Sequence, residues 1–261
     1  MKLAITGKGG VGKTTIASLL ISIYARGGKS VIAIDANPDA NLGTALGFTS
    51  EELIHITPIA EMKDLITERT GALPGSMGSF FKVNPRVDDI PERFGLKKDN
   101  ITLLVMGTVK TGGGGCLCPE SVLIKSLLSH LVLNQTDIVV MDMDAGVENL
   151  GRGTAQSVDA FIIVVEPGLR SFQTARSIKK LAKDIGISKC YIIGSKCCGE
   201  QDKQFILHNM KEFNILGFVS FDSDIVKSDR LGKGVFSMAP HAVTEVYEIK
   251  NKLEQLLIRG K

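Results

Sequence analysis

No stretch of this sequence approaches the ~18 consecutive apolar residues of a membrane-spanning helix. Its run Phe161-Ile162-Ile163-Val164-Val165 is bounded by Glu166. A signal-peptide core is missing as well: only Leu3-Ala4-Ile5 precede polar Thr6, against the ~7–15 apolar residues such a segment needs. Neither sign of charge dominates. The 31 basic and 28 acidic residues leave a net charge of +3, too small to suggest a nucleic-acid partner by charge alone. Internal repeats and linker-like stretches are absent, and 44% hydrophobic with 23% charged residues excludes a disordered chain. Cysteines are few and odd in number. The five fall into two tight groups, Cys116/Cys118 and Cys190/Cys197/Cys198. Without an export signal their thiols stay reduced, so metal binding outranks disulfides. The expectation is a cytoplasmic protein whose 261 residues form one domain, with no membrane and no nucleic acid among its partners.

What is present is a rhythm of short apolar runs and longer helical patterns. Lys2–Thr6, Val31–Asp35, Ile101–Met106, Asp137–Met141, Ala160–Val165 and Cys190–Gly194 are nearly continuous in Val, Ile and Leu, as parallel strands covered on both faces are. Lys13–Arg26, Pro119–Asn134 and Arg170–Ile185 repeat apolar residues three and four apart and are predicted helices. The alternation predicts an α/β fold: a mostly parallel sheet with helices on both faces, joined by right-handed crossovers. Thr70–Asp99, rich in Gly, Pro and charge, is predicted to be a surface excursion. Near the end of the chain, Val243, Val246, Tyr247, Leu253, Leu256 and Leu257 define one face of a predicted packing helix.

The chemistry starts at Gly7-Lys8-Gly9-Gly10-Val11-Gly12-Lys13-Thr14, which satisfies the G-x-x-x-x-G-K-[ST] phosphate-loop pattern between a strand and a helix. Glycines let successive N–H groups turn inward on an anion, and the helix N-terminus adds partial positive charge. Gly9, Gly10, Val11, Gly12, Lys13, Thr14 and Thr15 are the candidate nucleotide contacts; Lys13 can reach the β- and γ-phosphates of ATP, and the Thr14 hydroxyl can ligate Mg²⁺. Asp35-Ala36-Asn37-Pro38-Asp39 follows the second strand; its bland reading is a Pro-Asp turn with Asp35 capping a loop. Ile138-Val139-Val140-Met141-Asp142 is an apolar strand ending in a carboxylate, with Gly146 four residues on. Asp142 would hold Mg²⁺ through water, since this ion keeps several of its waters. Asp144 is as readily a solvated loop charge as a functional one.

Lys8, inside the loop, is unusual for a phosphate loop. With it the stretch resembles the "deviant" Walker A of the nitrogenase iron protein, MinD and ParA ATPases. That resemblance implies a lysine that crosses a dimer interface to the partner's nucleotide, acting on the logic of an arginine finger. It also implies a switch I in which Asp39 positions the attacking water, and Walker B and switch II roles for Asp142 and Gly146. Members usually carry Asn-Lys at the end of a later strand, the Asn reading adenine; here Gly194-Ser195-Lys196 stands there. Lys196 is retained as a nucleotide contact, but the base-reading residue has changed. Phe221-Asp222-Ser223 resembles the family's later base-contacting loop.

Cys116-Leu117-Cys118 follows four glycines and precedes Pro119, a good first-turn helix residue. In an extended stretch both sulfurs face the same way. Two thiolates half fill a tetrahedral or square-planar shell, so further ligands come from elsewhere in the chain, a second chain or solvent. A symmetric pair of chains would bring four sulfurs to its axis. Soft ligands suit Ni²⁺, Zn²⁺ or an iron–sulfur cluster. With the Asp142–Gly153 string, this Cys-x-Cys makes the whole chain resemble the CooC-type subfamily. Those ATPases mature nickel sites in carbon monoxide dehydrogenase, and the similar AcsF proteins serve acetyl-CoA synthase. The resemblance implies a homodimeric, Mg-ATP-driven nickel or zinc metallochaperone with such a nickel enzyme as partner. An iron–sulfur electron carrier and a ParA- or MinD-like positioning ATPase are the alternatives. Cys197-Cys198 and Cys190 are expected to be packing residues.

Overall fold

The computed structural model describes residues 1–75, 80–108, 118–134, 137–146 and 157–259. Among the described residues eight strands form one sheet: β1 (Lys2–Gly7), β2 (Val31–Ala36), β3 (Leu96–Lys98), β4 (Ile101–Val105), β5 (Ile138–Met143), β6 (Ala160–Val165), β7 (Cys190–Cys197) and β8 (Asn214–Ser220). Their order is β3-β4-β2-β5-β1-β6-β7-β8. All pairings are parallel except β3 with β4. The fold is therefore the expected α/β arrangement, with an antiparallel hairpin at one edge.

Alternation along each strand divides the core into two layers. Leu3 and Ile5 point to one face with Val31, Ala33, Val140 and Ile162. Ala4 points to the other with Ile32, Ile34, Met141 and Phe161. Helix α1 (Lys13–Arg26) covers the first face through Ile16, Leu19, Leu20 and Ile23. Helices α2 (Pro119–Asn134) and α3 (Leu169–Asp184) cover the second, with Leu123, Leu127 and Leu131 from α2 and Phe172, Ala175 and Ile178 from α3. Both faces are thus dry, which explains why the central strands carry apolar residues at successive positions.

Two expectations need correction. Thr70–Asp99 is not wholly an excursion over the surface: Val87 and Ile90 are buried in the α2–α3 layer, and Leu96–Lys98 pairs with β4. The terminal helix, Pro240–Arg259, buries Ala242, Val246, Ile249, Leu253 and Leu257, whereas Tyr247 is 51% exposed. The expected packing face is otherwise kept: Val246, Leu253 and Leu257 are buried, and Val243 and Leu256 pack partly buried against the same layer. Among the described residues no helix is long and apolar enough to cross a membrane.

The sheet places the site. Strand order reverses around β1, whose neighbours are β5 and β6, and ligands of open parallel sheets bind beyond the carboxyl ends of strands at such a point. The loops after β1, β2, β5, β6 and β7 all emerge there.

Candidate functional site

The phosphate loop turns on two glycines in the left-handed region, Gly10 at φ 80° and Gly12 at φ 96°. A side chain at Gly12 would set its Cβ 3.0 Å from Ser195 Oγ. Helix α1 starts directly afterwards with no side-chain N-cap and no acidic residue in its first turn. Its first N–H groups and positive dipole end are left for an anion. Val11 is fully buried and anchors the loop. Lys13 is 8% exposed and its Nζ donates to the Lys8 carbonyl (3.3 Å), spanning the loop it would share with phosphates. Thr15 is half-buried beside it.

Two carboxylates meet under the loop. Register pairs Asp35 of β2 with Asp142 of β5, and both are fully buried. Thr14 Oγ1 donates to Asp142 Oδ2 at 2.6 Å, whereas Asp142 Oδ1 is buried and has no hydrogen-bond partner among the described residues. Burial pushes the Asp142 carboxyl up to about 7, the Thr14 hydrogen bond opposes this, and neighbouring Asp35 raises it further. A buried acid with one unsatisfied oxygen beside a threonine hydroxyl is a donor set suited to a hard, oxygen-seeking cation. Mg²⁺ fits these residues.

Asp35 has a different task. Burial raises its pKa too, opposed by the hydrogen bonds it accepts. Its Oδ2 takes the N–H of Leu42 (2.9 Å) and its Oδ1 the N–H of Asn37 (3.2 Å). Asn37 Nδ2 also donates to the Asp142 carbonyl (3.3 Å). The loop carrying Asp39 is thereby pinned at both ends, and Asp39 itself is exposed. After β5, the Asp144 carbonyl accepts from Thr6 Oγ1 (2.7 Å) and from the N–H of buried Gly146 (2.7 Å).

Pro38 and Asp144 line a cavity of about 280 Å³ together with Ser121, Ile124 and Lys125 of α2. That helix begins next to Cys118, which is 5% exposed. Ser121 Oγ caps the turn, accepting from the Cys118 N–H (3.3 Å) and donating to its carbonyl (3.0 Å). Cys116 lies outside the described residues, as does most of the string after Gly146. Among the described residues no group of three or more His, Cys, Asp or Glu could hold a metal ion. Cys197 is buried, Cys190 half-buried and Cys198 exposed; burial lifts the thiols of Cys190 and Cys197 to about 11 each, so both resist ionisation.

On the far side of the phosphate loop, Lys196 adopts φ 57°, and its Nζ donates to the Gly10 carbonyl at 2.6 Å. Ser195 is 4% exposed beneath Gly12. The end of β7 thus braces the phosphate loop. Phe221, 56% exposed, follows β8, and its N–H bonds the Cys197 carbonyl (3.0 Å). One residue carries no signal in the sequence: Glu166, whose Oε1 lies 3.3 Å from Lys8 Nζ. A glutamate before Pro167 belongs to no motif, so only the parallel pairing of β1 with β6 could have revealed it.

A family model for the CobQ/CobB/MinD/ParA nucleotide binding domain matches residues 2–235. The carbon monoxide dehydrogenase accessory protein CooC of Rhodospirillum rubrum is 46% identical over 240 residues, spanning 92% of this chain and 91% of that protein. An uncharacterized ATP-binding protein of Methanocaldococcus jannaschii is 45% identical over 259 residues, 98% of each chain. Among solved structures, MinD of Pyrococcus horikoshii complexed with Mg-ADP superposes with a TM-score of 0.68 at 16% identity, covering 98% of this chain and 96% of that one.

Proposed function

The chain belongs to the CobQ/CobB/MinD/ParA nucleotide-binding family as a CooC-type ATPase, and on that premise we propose that it is a Mg-ATP-driven, homodimeric metallochaperone. It carries nickel, or zinc in its place, on Cys116 and Cys118. It assists nickel insertion into carbon monoxide dehydrogenase or acetyl-CoA synthase. The observation that supports this reading best is the shared cavity: residues beside the two carboxylate loops and residues of the helix that begins after Cys118 line the same space. A change at the γ-phosphate would be passed through this space to the start of the helix that follows Cys118.

In this mechanism the N–H groups of Gly9–Thr15 and the ammonium of Lys13 bind the β- and γ-phosphates. Thr14 and Asp142 would hold Mg²⁺, which would supply charge neutralisation across those phosphates. Asp39, on its pinned loop, orients a water in line with the bond to be broken. The water oxygen bonds the γ-phosphorus as its bond to the bridging oxygen breaks, giving ADP and phosphate. Lys8 of each copy stabilises the charge developing on the other copy's γ-phosphoryl group. Gly146 follows Asp142 and reports the γ-phosphate to the chain beyond. Lys196 steadies the loop from behind. Binding ATP closes the two copies and sets the geometry of four sulfurs at their seam; hydrolysis reopens it. Such coupling requires that the triphosphate bind the closed pair better than the open one.

The test is a pair of variants under anaerobic conditions. The double substitution C116A/C118A is expected to abolish stoichiometric nickel or zinc binding and to spare ATP binding. Lys8→Ala is expected to retain nucleotide and lose turnover. Unchanged metal stoichiometry in the first variant refutes the thiol site, and near-normal hydrolysis in the second refutes the trans-acting lysine.

A further inference from the structure

Lys8 is engaged within its own subunit. Its Nζ lies 3.3 Å from Oε1 of Glu166 in the same subunit, with the two side chains 38% and 31% exposed. The pairing is built into the sheet. Gly7 of β1 stands opposite Val164 of β6, so the residues just beyond these strands meet above the carboxyl edge. The Glu166 backbone is held in turn: its N–H donates to Ser171 Oγ (3.2 Å), and Ser171 is 2% exposed in the first turn of α3. Pro167 fixes the next φ. The carboxylate therefore sits on a rigid corner, while Lys8 sits on a loop.

We propose that Glu166 is a positioning residue that retains Lys8 on its own subunit until a second copy's triphosphate competes for it. This rests on the reading that Lys8 acts across a dimer. A triphosphate outbids one half-exposed carboxylate for an ammonium by charge alone, so the restraint yields once two loaded copies meet. It is a cost that the loaded dimer must overcome, and it does not enter the chemical step. A half-exposed ion pair contributes about 1.5- to fivefold to an equilibrium. Two such pairs break per dimer, so their joint effect on dimer affinity is about two- to twenty-five-fold.

The experiment compares the full chain with Glu166→Gln, Lys8→Ala and the double variant, by sedimentation with a non-hydrolysable ATP analogue and by turnover against protein concentration. Glu166→Gln is expected to tighten the dimer by that factor and to lower the protein concentration for half-maximal turnover. It leaves kcat at saturating protein and monomer affinity for the analogue unchanged. The shift is expected to vanish in the Lys8→Ala background, and Glu166→Ala is expected to reproduce it. Weaker dimers, a lower kcat, or the same shift without Lys8 would overturn the restraint. If Lys8→Ala loses turnover while Glu166→Gln changes nothing, the restraint alone fails. If Lys8→Ala hydrolyses normally, the cross-dimer role itself is lost.

Discussion

Replacing Asp142 with Asn separates what this carboxylate does for function from what it costs the fold. The group is fully buried and holds its proton up to about pH 7, against 3.8 for an ordinary aspartate. Between those values the unfolded chain has already ionised and the folded chain has not. Folding therefore takes up a proton, and stability falls as pH rises from about 4 to about 7. By linkage the cost above pH 7 is on the order of 4 kcal/mol. Asn removes that cost but keeps an acceptor for the Thr14 hydroxyl. It places an amide N–H₂ where Oδ1 has no partner among the described residues, a penalty of about 1–3 kcal/mol. At pH 8 the nucleotide-free variant is expected to be about 1–3 kcal/mol more stable than the parent, and this advantage disappears by about pH 5. For a chain of this size that is a rise in Tm of about 2–12 °C. Urea unfolding of both proteins at several pH values reads the difference directly, and ATP with and without Mg²⁺ supplies the functional half. The variant is expected to lose the extra stabilisation that Mg²⁺ adds to ATP. Parallel pH profiles for the two proteins, or a less stable variant at pH 8, would refute the reasoning.

Two further outcomes follow from the loop. Gly12→Ala forces a side chain into a left-handed position (φ 96°) with its Cβ 3.0 Å from Ser195 Oγ; it is expected to cost about 1–2 kcal/mol from backbone conformation alone and to weaken ATP binding at least tenfold, measured by calorimetry. Lys196→Met removes the 2.6 Å bond to the Gly10 carbonyl and is expected to raise KM for ATP severalfold with a smaller change in kcat; a pure kcat defect would place Lys196 in the chemistry instead.

Most of the fold is legible in the sequence where burial is complete. Strand β6 and helix α1 can be read to the residue because apolar runs and the phosphate loop leave one solution. Strand β8 cannot: its burial alternates weakly along Asn-Ile-Leu-Gly-Phe-Val-Ser, and Gly217 exists there to admit Ile249, since a Cβ at that position would lie 2.6 Å from Ile249 Cγ1. The edge strand β3 hides behind Lys97 and Lys98, which only its pairing with β4 explains. In the site, Lys13, Thr14 and Asp142 can be assembled from motifs, since each motif presupposes the others. The structuring role of Asp35 and the Lys8–Glu166 pair cannot, because both depend on strand register rather than on sequence neighbours.

The central claim is that γ-phosphate occupancy is felt at sulfurs shared by two copies of the chain. Anaerobic native mass spectrometry, reading subunit and nickel counts together with a non-hydrolysable ATP analogue and then with ADP, addresses it most directly. The analogue is expected to raise the population of a dimer holding one nickel per two chains. Nickel bound one per single chain, indifferent to nucleotide, would contradict it.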